Sequence, residues 1–270
     1  MILNKKMNPL VSIIICTYNS KSTIADTMLS IKKQKYKNYQ VIIIDNNSSD
    51  NTLEIINNYK ISNIKFIKFS SKLYEAINKG IEVSNGKVIS ILHSDDYYYD
   101  KFVLTKVAQT FKDSKIDIVY GDLLYVKKYN KNKILRYWQS DSYKKKYFLR
   151  GWSPPHPTFF CRKKIYLTGK LYKTNIENSA DVELMHRYLE IIGFKSRYLK
   201  KILVVMRYGG MSNNSFKKMI FQNIAILKFL KIHKKPFAIT NFFVHKLINR
   251  FTQFLHGRKY NNHQFKRFFF

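Results

Sequence analysis

Two adjacent carboxylates, Asp95 and Asp96, follow an apolar, strand-like run in the segment ILHSDDYYYD. A carboxylate pair at a strand end can act as a general acid and base, or it can hold a divalent cation through oxygen ligands. Mg²⁺ and Mn²⁺ bind few protein carboxylates together with substrate phosphates. Adjacent residues of an extended chain point to opposite sides, so one carboxylate can bind metal while the other accepts a hydroxyl. The alternative is a pair that only caps the next turn.

The segments around this pair alternate between apolar runs and helical patterns. Runs rich in Val and Ile predict buried strands near 10–19, 39–45, 63–70 and 87–96, with helices between them, for example at 20–34 and 74–86. This alternation is typical of an α/β fold with βαβ units and a mostly parallel sheet. Ligands of such sheets bind at the carboxyl ends of the strands. Tyr18, Asp45 and the Asp95–Asp96 pair all fall there.

The second half of the chain is less regular. The patterns predict a strand and hairpin partner at 114–128 and 133–138, a proline-held loop followed by a short strand and helix at 152–170, a helix at 178–193, and a strand running into a glycine turn at 201–215. From about residue 216 acidic residues vanish and Phe, Ile, Lys and Arg dominate. We therefore predict two parts, a domain over 1–215 and a basic, aromatic-rich helical tail over 216–270.

Composition limits the class of protein. With 270 residues and 45% hydrophobic residues, the chain can build a core, and it has no apolar run long enough for a spanning helix. The two cysteines stand in unrelated contexts, and the first residues have no secretory pattern, so a reducing cytoplasm is expected. The formal net charge of +32, from 49 Lys and Arg against 17 Asp and Glu, favours a polyanionic partner: a phosphate-bearing substrate, an anionic membrane or nucleic acid.

Six segments together carry a family resemblance. VSIIICTYN, VIIIDNNSSDNT, YEAINKGIEVSNGKVISILHSDDYY, HPTFFCRKKIY, ADVELMHRYL and YGGMS occur in the order and spacing of family 2 glycosyltransferases with the GT-A fold. The chain resembles most the bacterial enzymes that assemble capsule, O-antigen and colanic-acid-like polysaccharides. The resemblance covers roughly residues 9–214. It implies an inverting, metal-dependent transfer from a nucleotide sugar.

The resemblance implies a donor site at the first strand ends. It assigns the backbone near Cys16 and the ring of Tyr18 to base contact, and Asp45 to a hydrogen bond with uracil, which favours a UDP-sugar. Asp45 can also cap its Asn/Ser turn, and the two roles can coexist. Asn78 and Lys79 are possible donor contacts, although Lys79 is as readily a solvated surface lysine.

The carboxylate pair resembles the DXD element of the family. By position, Asp96 is the metal ligand, for Mn²⁺ or Mg²⁺, and Asp95 the ribose contact. Inversion needs a general base for the acceptor hydroxyl. Asp181 matches the family position at the start of a helix, with Glu183 in reserve and a dipole-favoured helix acid as the alternative.

Two further positions are weaker candidates. His156 lies in the proline-held loop where relatives often carry a histidine near donor or acceptor, and Arg207 begins a loop that can close over donor phosphates. His93 is interpreted as a neutral core or edge histidine rather than a ligand, and His186 as a packed or surface histidine.

The tail allows two interpretations. Phe243, Leu247, Phe251 and Phe254 share one helix face beside basic residues, which fits peripheral attachment to an anionic membrane. The alternative is a helix pair packed on the core. The membrane interpretation suits a glycan acceptor that is linked to a polyprenyl diphosphate or is of lipopolysaccharide type, on the inner face of the cell membrane.

The leading hypothesis is thus a glycosyltransferase. A nucleic-acid-binding protein is the rival suggested by charge and interleaved aromatics, but acids clustered at strand ends would repel a phosphate backbone, so no nucleic acid is expected. A catalytically inactive GT-A partner subunit is the third possibility. Intact Asp45, Asp95, Asp96 and Asp181 weigh against it.

Overall fold

The computed structural model describes residues 8–128, 130–176, 179–209 and 216–264. The strands within these ranges form one sheet. They are β1 (Val11–Thr17), β2 (Tyr39–Asp45), β3 (Ile64–Lys68), β4 (Val88–Ile91), β5 (Tyr97–Tyr98), β6 (Ile118–Lys127), β7 (Asn130–Trp138), β8 (Phe160–Arg162) and β9 (Ser196–Tyr208).

The helices lie between and after these strands. They are α1 (Ile24–Lys32), α2 (Thr52–Asn58), α3 (Leu73–Glu82), α4 (Val103–Thr110), α5 (Ile165–Gly169), α6 (Ala180–His186), α7 (Phe216–Phe229) and α8 (Pro236–Gln264). Short 3₁₀ turns occupy Tyr147–Arg150 and His156–Thr158. The helix predicted at 178–193 is present, but only α6 is α-helical, and it continues as a π-helical turn at Arg187–Ile192.

The sheet order is β3-β2-β1-β4-β8-β6-β9-β5, with β7 beside β6. β1 is parallel to β2 and β4, and β2 is parallel to β3. β8 runs antiparallel between β4 and β6, so β6 points the same way as β4. The predicted α/β class with a mostly parallel sheet is confirmed, and the carboxyl ends of β1 to β4 meet at one edge.

The core lies on both faces of the sheet. Alternate residues of β1 enter opposite layers: Ile13 and Ile15 pack on one side, Ile14 on the other, and all three are fully buried. Burial on both faces explains why the sequence shows continuous apolar runs here rather than alternation.

The tail packs on this core with one face of its helices. Phe242 of α8 is buried, and Arg136 of β7 donates from Nε to Gln253 Oε1 at 2.5 Å. The chain comes close because Gly257 has no side chain: a Cβ there would lie 2.9 Å from Arg136 Cα. The packed-tail interpretation therefore holds for this inner face.

The outer face of the tail is apolar. Every position of the predicted stripe is exposed, from 40% at Phe243 and Phe254 to 63% at Phe251 and 71% at Leu247. Across the described ranges, no helix combines the length and the apolar character that crossing a membrane requires.

Candidate active site

The first strand ends bring Asp45 and Tyr18 to the carboxyl edge of the sheet. Asp45 pairs in register with Thr17 and is 3% exposed. Its carboxylate accepts hydrogen bonds from Thr17 Oγ1 at 2.8 Å, Ser48 Oγ at 2.6 Å and the Ser48 backbone N–H at 2.9 Å. Asp45 therefore does cap its turn, and these bonds also hold it in place at the edge.

Cys16 near the end of β1 and Tyr18 just after it have different surroundings. Tyr18 is 61% exposed, so its ring is open to a flat partner. Burial raises the pKa of the Cys16 thiol to about 12. The thiol is therefore neutral, and the assignment of the Cys16 backbone to base contact stays a prediction.

The carboxylate pair lies in the turn between β4 and β5. Asp96 is fully buried, and neither of its carboxylate oxygens has a hydrogen-bond partner. Burial, together with the adjacent Asp95, raises its pKa well above the usual range, although Arg207 lowers it in part. A buried carboxylate with no partner is costly unless a cation or a donor meets it. Asp96 therefore fits the role of a divalent metal ligand.

Several bonds fix this turn. Thr27 of α1 donates from Oγ1 to the carbonyl oxygens of Asp96 and Ser94, at 2.7 and 3.1 Å. Arg207 donates from Nη1 to the carbonyl of Asp95 at 2.5 Å and pairs through Nη2 with Asp26. Arg207 is only 4% exposed, and both of its terminal nitrogens, Nη1 and Nη2, are already bonded. In this conformation it therefore supports the turn and is not available to bind phosphate. Gly210 to Ser212 of the predicted phosphate loop lie outside the described residues.

Asp181 stands at the start of α6, as predicted. Burial raises its pKa, against hydrogen bonds from the Val182 backbone and the Tyr74 hydroxyl and the charge of His93, which lower it. Its Oδ1 has no partner. A carboxylate with a raised pKa and a free oxygen is suited to accept a proton near neutral pH.

His93 connects the two carboxylate centres. Its backbone carbonyl accepts from the Asp96 N–H at 3.0 Å, while its imidazole acts electrostatically on Asp181. Both Asp96 and Asp181 also raise the pKa of Tyr125, so both lie within electrostatic reach of that ring. Asp96 and Asp181, which are 85 positions apart in the chain, are thus each connected to His93, one by a backbone hydrogen bond and the other electrostatically.

His156 forms the floor of this region. It is buried, and its Nε2 lies 2.8 Å from the Tyr172 hydroxyl, while its ring centroid is 6.1 Å from that of His93. Burial and the nearby His93 lower the pKa of His156 to about 3, so the ring is neutral. The Tyr172 ring in turn stacks on Tyr74, with 5.6 Å between centroids. Sequence reasoning did not single out Tyr74 and Tyr172, since no sequence motif marks them, and it interpreted His93 as a core or edge histidine.

Two predicted donor contacts have other partners here. The side-chain amide of Asn78 makes two hydrogen bonds with the Tyr172 backbone. Its Nδ2 donates to the Tyr172 carbonyl at 2.9 Å, and the Tyr172 N–H donates to its Oδ1 at 3.0 Å. Asn78 therefore positions Tyr172, and a donor contact would require one of these bonds to break. Lys79 lies 3.9 Å from Glu82 on an exposed helix face, the arrangement of a surface lysine.

Glu183, the reserve base, is tied into an ion-pair cluster. Its carboxylate lies 2.8 Å from Lys173 and 3.0 Å from Arg187. Burial alone would raise its pKa, but the hydrogen bonds and charges of Arg187 and Lys173 lower it. His186 packs edge-on against Phe148, as a packed histidine does. The geometry favours Asp181 over Glu183 as the proton acceptor.

No group of three or more His, Cys, Asp or Glu side chains suited to hold a metal is found within the described ranges. A Mg²⁺ or Mn²⁺ site with one or two carboxylates takes its other ligands from substrate phosphates and water. Asp96 with its free oxygens, next to Asp95, is such a donor set.

Comparison with known sequences identifies the family. A sequence model of the family described as "Glycosyl transferase family 2" matches residues 12–163, more than half of the chain, so the chain belongs to this family. The sheet with helices on both faces is the GT-A fold of that family.

Two relatives illustrate the range of similarity. An Escherichia coli protein described as "UDP-Glc:alpha-D-GlcNAc-diphosphoundecaprenol beta-1,3-glucosyltransferase WfaP" is 43% identical over 101 residues, which cover 37% of this chain and 39% of WfaP. The chain thus spans well under half of that relative. An uncharacterized glycosyltransferase of Methanocaldococcus jannaschii is 27% identical over 247 residues, covering 87% of this chain and 84% of the relative.

Solved structures share the fold. Staphylococcus aureus TarS 1–349 in complex with UDP superposes with a TM-score of 0.58 at 18% identity, covering 80% of this chain and 65% of TarS 1–349. The mannosyltransferase PcManGT from Pyrobaculum calidifontis, in complex with GDP-Man and Mn²⁺, gives 0.60 at 15% identity, covering 96% and 71%. At these identities the likeness concerns the fold alone.

Proposed function

We propose that this protein is an inverting, metal-dependent glycosyltransferase that moves a sugar from a nucleotide sugar, with a UDP-sugar favoured, to a hydroxyl of a growing lipid-linked surface glycan. The observation that carries the proposal is Asp96, a buried carboxylate without a hydrogen-bond partner in the turn after β4. Asp181, a carboxylate of raised pKa that starts α6, supplies the second group that the reaction needs. Family membership supports the reaction class.

The donor lies along the strand edge in this proposal. The exposed ring of Tyr18 and the backbone at Cys16 contact the base, and Asp45, held by Thr17 and Ser48, accepts a hydrogen bond from uracil. Asp95, whose backbone is anchored by Arg207, contacts the ribose. His156, neutral and bonded to Tyr172, keeps the region beneath the transferred sugar in place.

Asp96 would hold Mn²⁺ or Mg²⁺, with Asp95 nearby. Such a cation, when bound with the donor, offsets the negative charge that develops on the leaving nucleoside diphosphate. The free oxygens of Asp96 are buried and fixed by the turn. The Asp96 carboxylate, as a metal ligand, therefore has little freedom to reorient.

Asp181 takes the proton from the acceptor hydroxyl as that hydroxyl attacks the anomeric carbon. Its free Oδ1 can accept the proton, while the nearby Tyr74 hydroxyl favours the charged form of the same carboxylate. The raised pKa makes it a stronger base than an exposed aspartate. The sugar–phosphate bond breaks as the new glycosidic bond forms on the opposite side, which inverts the anomeric centre.

The acceptor class is a glycan on a polyprenyl diphosphate or of lipopolysaccharide type. The name of the relative WfaP describes transfer to a diphosphoundecaprenol-linked GlcNAc, which supports the lipid-linked alternative. The exposed apolar stripe of α8 and the charge of +32 support a peripheral position on an anionic membrane, on its cytoplasmic face. We retain the division into a GT-A domain over 1–215 and a tail over 216–270 as part of this proposal.

Calorimetric binding of UDP, with and without Mn²⁺, tests the donor site at a fixed, moderate salt concentration, because +32 attracts any anion. We expect metal-dependent binding that Asp96→Ala abolishes. Asp100→Ala is the matched control, since Asp100 pairs with Lys106 at 2.7 Å outside the proposed ligand set. Weak, metal-independent binding that is equal in both variants would overturn the proposal. It would favour a protein that binds polyanions through its charge alone.

A further inference from the structure

A cavity of about 480 Å³ lies between the end of β7, the turn at 147–153 and helix α8. It is separate from the strand edge that holds Asp45 and Asp95. None of the site residues predicted from the sequence lines it. Its volume is sufficient for one or two sugar rings, which places it within the ordinary range of small-molecule sites.

Aromatic rings form much of its wall. Trp138, Tyr147, Trp152 and Tyr198 line the cavity. Other contacts fix the positions of these rings. The Tyr198 hydroxyl donates to Asp122 at 2.7 Å, and Trp152 packs edge-on against Tyr147 with 5.4 Å between ring centroids. Flat, fixed aromatic walls suit the apolar face of a pyranose ring.

A buried hydroxyl in the wall lacks a partner. Ser140 is 7% exposed and lines the cavity, and its Oγ makes no hydrogen bond within the described structure. The residue itself is fixed, because its backbone N–H donates to Asp122 at 2.8 Å. A buried hydroxyl without a partner is costly, and a ligand in the adjoining cavity can supply the missing bond if the Ser140 side chain turns toward it.

The charged groups of the lining are mostly cationic. Arg150 and Lys200 carry full positive charges, His245 and His256 add imidazoles, and Asp141 is the acidic residue among them. Such a lining favours an anionic group near the ring.

The cavity wall packs against α6, the helix that Asp181 starts. Trp152 of the wall packs edge-on against Phe148, with 5.7 Å between ring centroids. Phe148 packs edge-on against His186 of α6, with 5.2 Å between centroids. The turn that forms one wall of the cavity is therefore connected by packed rings to the helix that carries the proposed base.

We propose that this cavity is an acceptor subsite that holds a pyranose ring bearing, or directly linked to, a phosphate or carboxylate group. This assignment rests on the glycosyltransferase function proposed above and adds to it the class of the acceptor unit. The tail helix α8 then has a role in substrate binding, because His245, Asn249 and Gln253 contribute to the lining.

Tryptophan fluorescence measures occupation of this cavity directly, since the only two tryptophans of the chain, Trp138 and Trp152, both line it. The probes are GlcNAc 1-phosphate, glucuronic acid, methyl GlcNAc and inorganic phosphate, titrated without donor or metal. We expect saturable changes with the first two probes and at least about tenfold weaker binding of the neutral sugar and of phosphate alone. A tighter response to GlcNAc 1-phosphate identifies phosphate as the anionic group, and a tighter response to glucuronic acid identifies carboxylate.

Four variants locate the binding. Arg150→Gln should weaken binding of the anionic probes about tenfold, and Ser140→Ala about fivefold without lowering the melting temperature, because that hydroxyl has no partner to lose. Leu247→Ala, on the outer face of the same helix, should change nothing. Asp96→Ala should also keep the fluorescence response, so a failed donor site and a failed acceptor subsite give different results. A saturable response unchanged by both cavity variants, or no response to any probe, would overturn the assignment.

Discussion

Arg207 Nη1 donates a 2.5 Å hydrogen bond to the backbone carbonyl of Asp95, so the last strand of the sheet holds the turn that carries the carboxylate pair. The same guanidinium pairs with Asp26 of α1 and lies over the Tyr97 ring, 5.2 Å from its centroid. Strand β9, helix α1 and the turn that carries Asp95 come from distant parts of the chain, and all three meet at the buried guanidinium of Arg207. The orientation of Asp96 therefore depends on a residue 111 positions later in the sequence.

Arg207→Ala should destabilise the fold and weaken metal-dependent UDP binding together. Removing one partner of a buried pair costs about 3 kcal/mol, and the Asp95 carbonyl also loses its donor. Urea unfolding and calorimetry measure the two effects. Lys131→Ala is the matched control, because Lys131 pairs with the same Asp26 at 2.8 Å from an exposed position and should cost less than about 1 kcal/mol. Equal costs for the two variants would refute the supporting role of Arg207.

Asp181→Asn should keep UDP binding and lower the turnover number about 10³-fold, the scale of a lost general base. Single-turnover transfer with a lipid-linked acceptor measures this. Glu183→Gln gives the contrast, since it breaks the pairs with Lys173 and Arg187 and should lower stability more than turnover. Near-normal turnover of Asp181→Asn would move the base elsewhere.

His156 should make the fold sensitive to acid. Its pKa is about 3 in the folded state, against about 6.5 in an unfolded chain, so the unfolded state binds more protons between these values. Stability is therefore fully present above about pH 6.5 and falls as the pH drops, by up to about 1.4 kcal/mol per pH unit from this group.

His156→Gln removes that titration. Urea unfolding at pH 7 and pH 5.5 should show a smaller acid loss in His156→Gln than in the wild type, by about 1 kcal/mol. The substitution itself costs stability at pH 7, because the bond to Tyr172 is disturbed. His233→Gln, at an exposed site, should keep the wild-type difference. The assignment of a neutral, buried His156 fails if His156→Gln and the wild type lose equal stability.

The outer stripe of α8 should govern membrane binding without governing stability. Leu247→Glu combined with Phe251→Glu should weaken sedimentation with anionic vesicles on the order of tenfold and leave the melting temperature unchanged, because both side chains are more than half exposed. Asn57→Glu with Asn58→Glu adds the same charge on α2 and should have a much smaller effect. If the two pairs act equally, net charge rather than the apolar stripe binds the membrane.

Point substitutions are preferable to removing the tail. Phe242 is 2% exposed and packs in the main core cluster, so a deletion of 237–270 would open that core. Aggregation of the truncated protein would then report lost packing rather than a lost membrane site. Phe242→Ala alone should cost about 3 kcal/mol in urea unfolding.

Local pattern was enough to predict the sheet, its parallel character and the edge that gathers the polar residues. Runs such as VSIIIC and VIIID are buried on both faces, and continuous burial leaves a composition that sequence shows directly. Asp45 ends β2, and Asp95 and Asp96 lie in the turn after β4, so chain order alone placed them at one edge.

Only the tertiary structure decided which side chains are available there. Arg207 and Asn78 have the residue types of ligand contacts, but partners far along the chain, Asp26 and Tyr172, occupy their polar groups. Neither carboxylate oxygen of Asp96 has a partner, whereas both carboxylate oxygens of Glu183 are in ion pairs. A hydrogen bond between distant residues depends on packing geometry, which local patterns do not encode. For the same reason the sequence left the tail open between core and membrane, while the fold buries one of its faces and exposes the other.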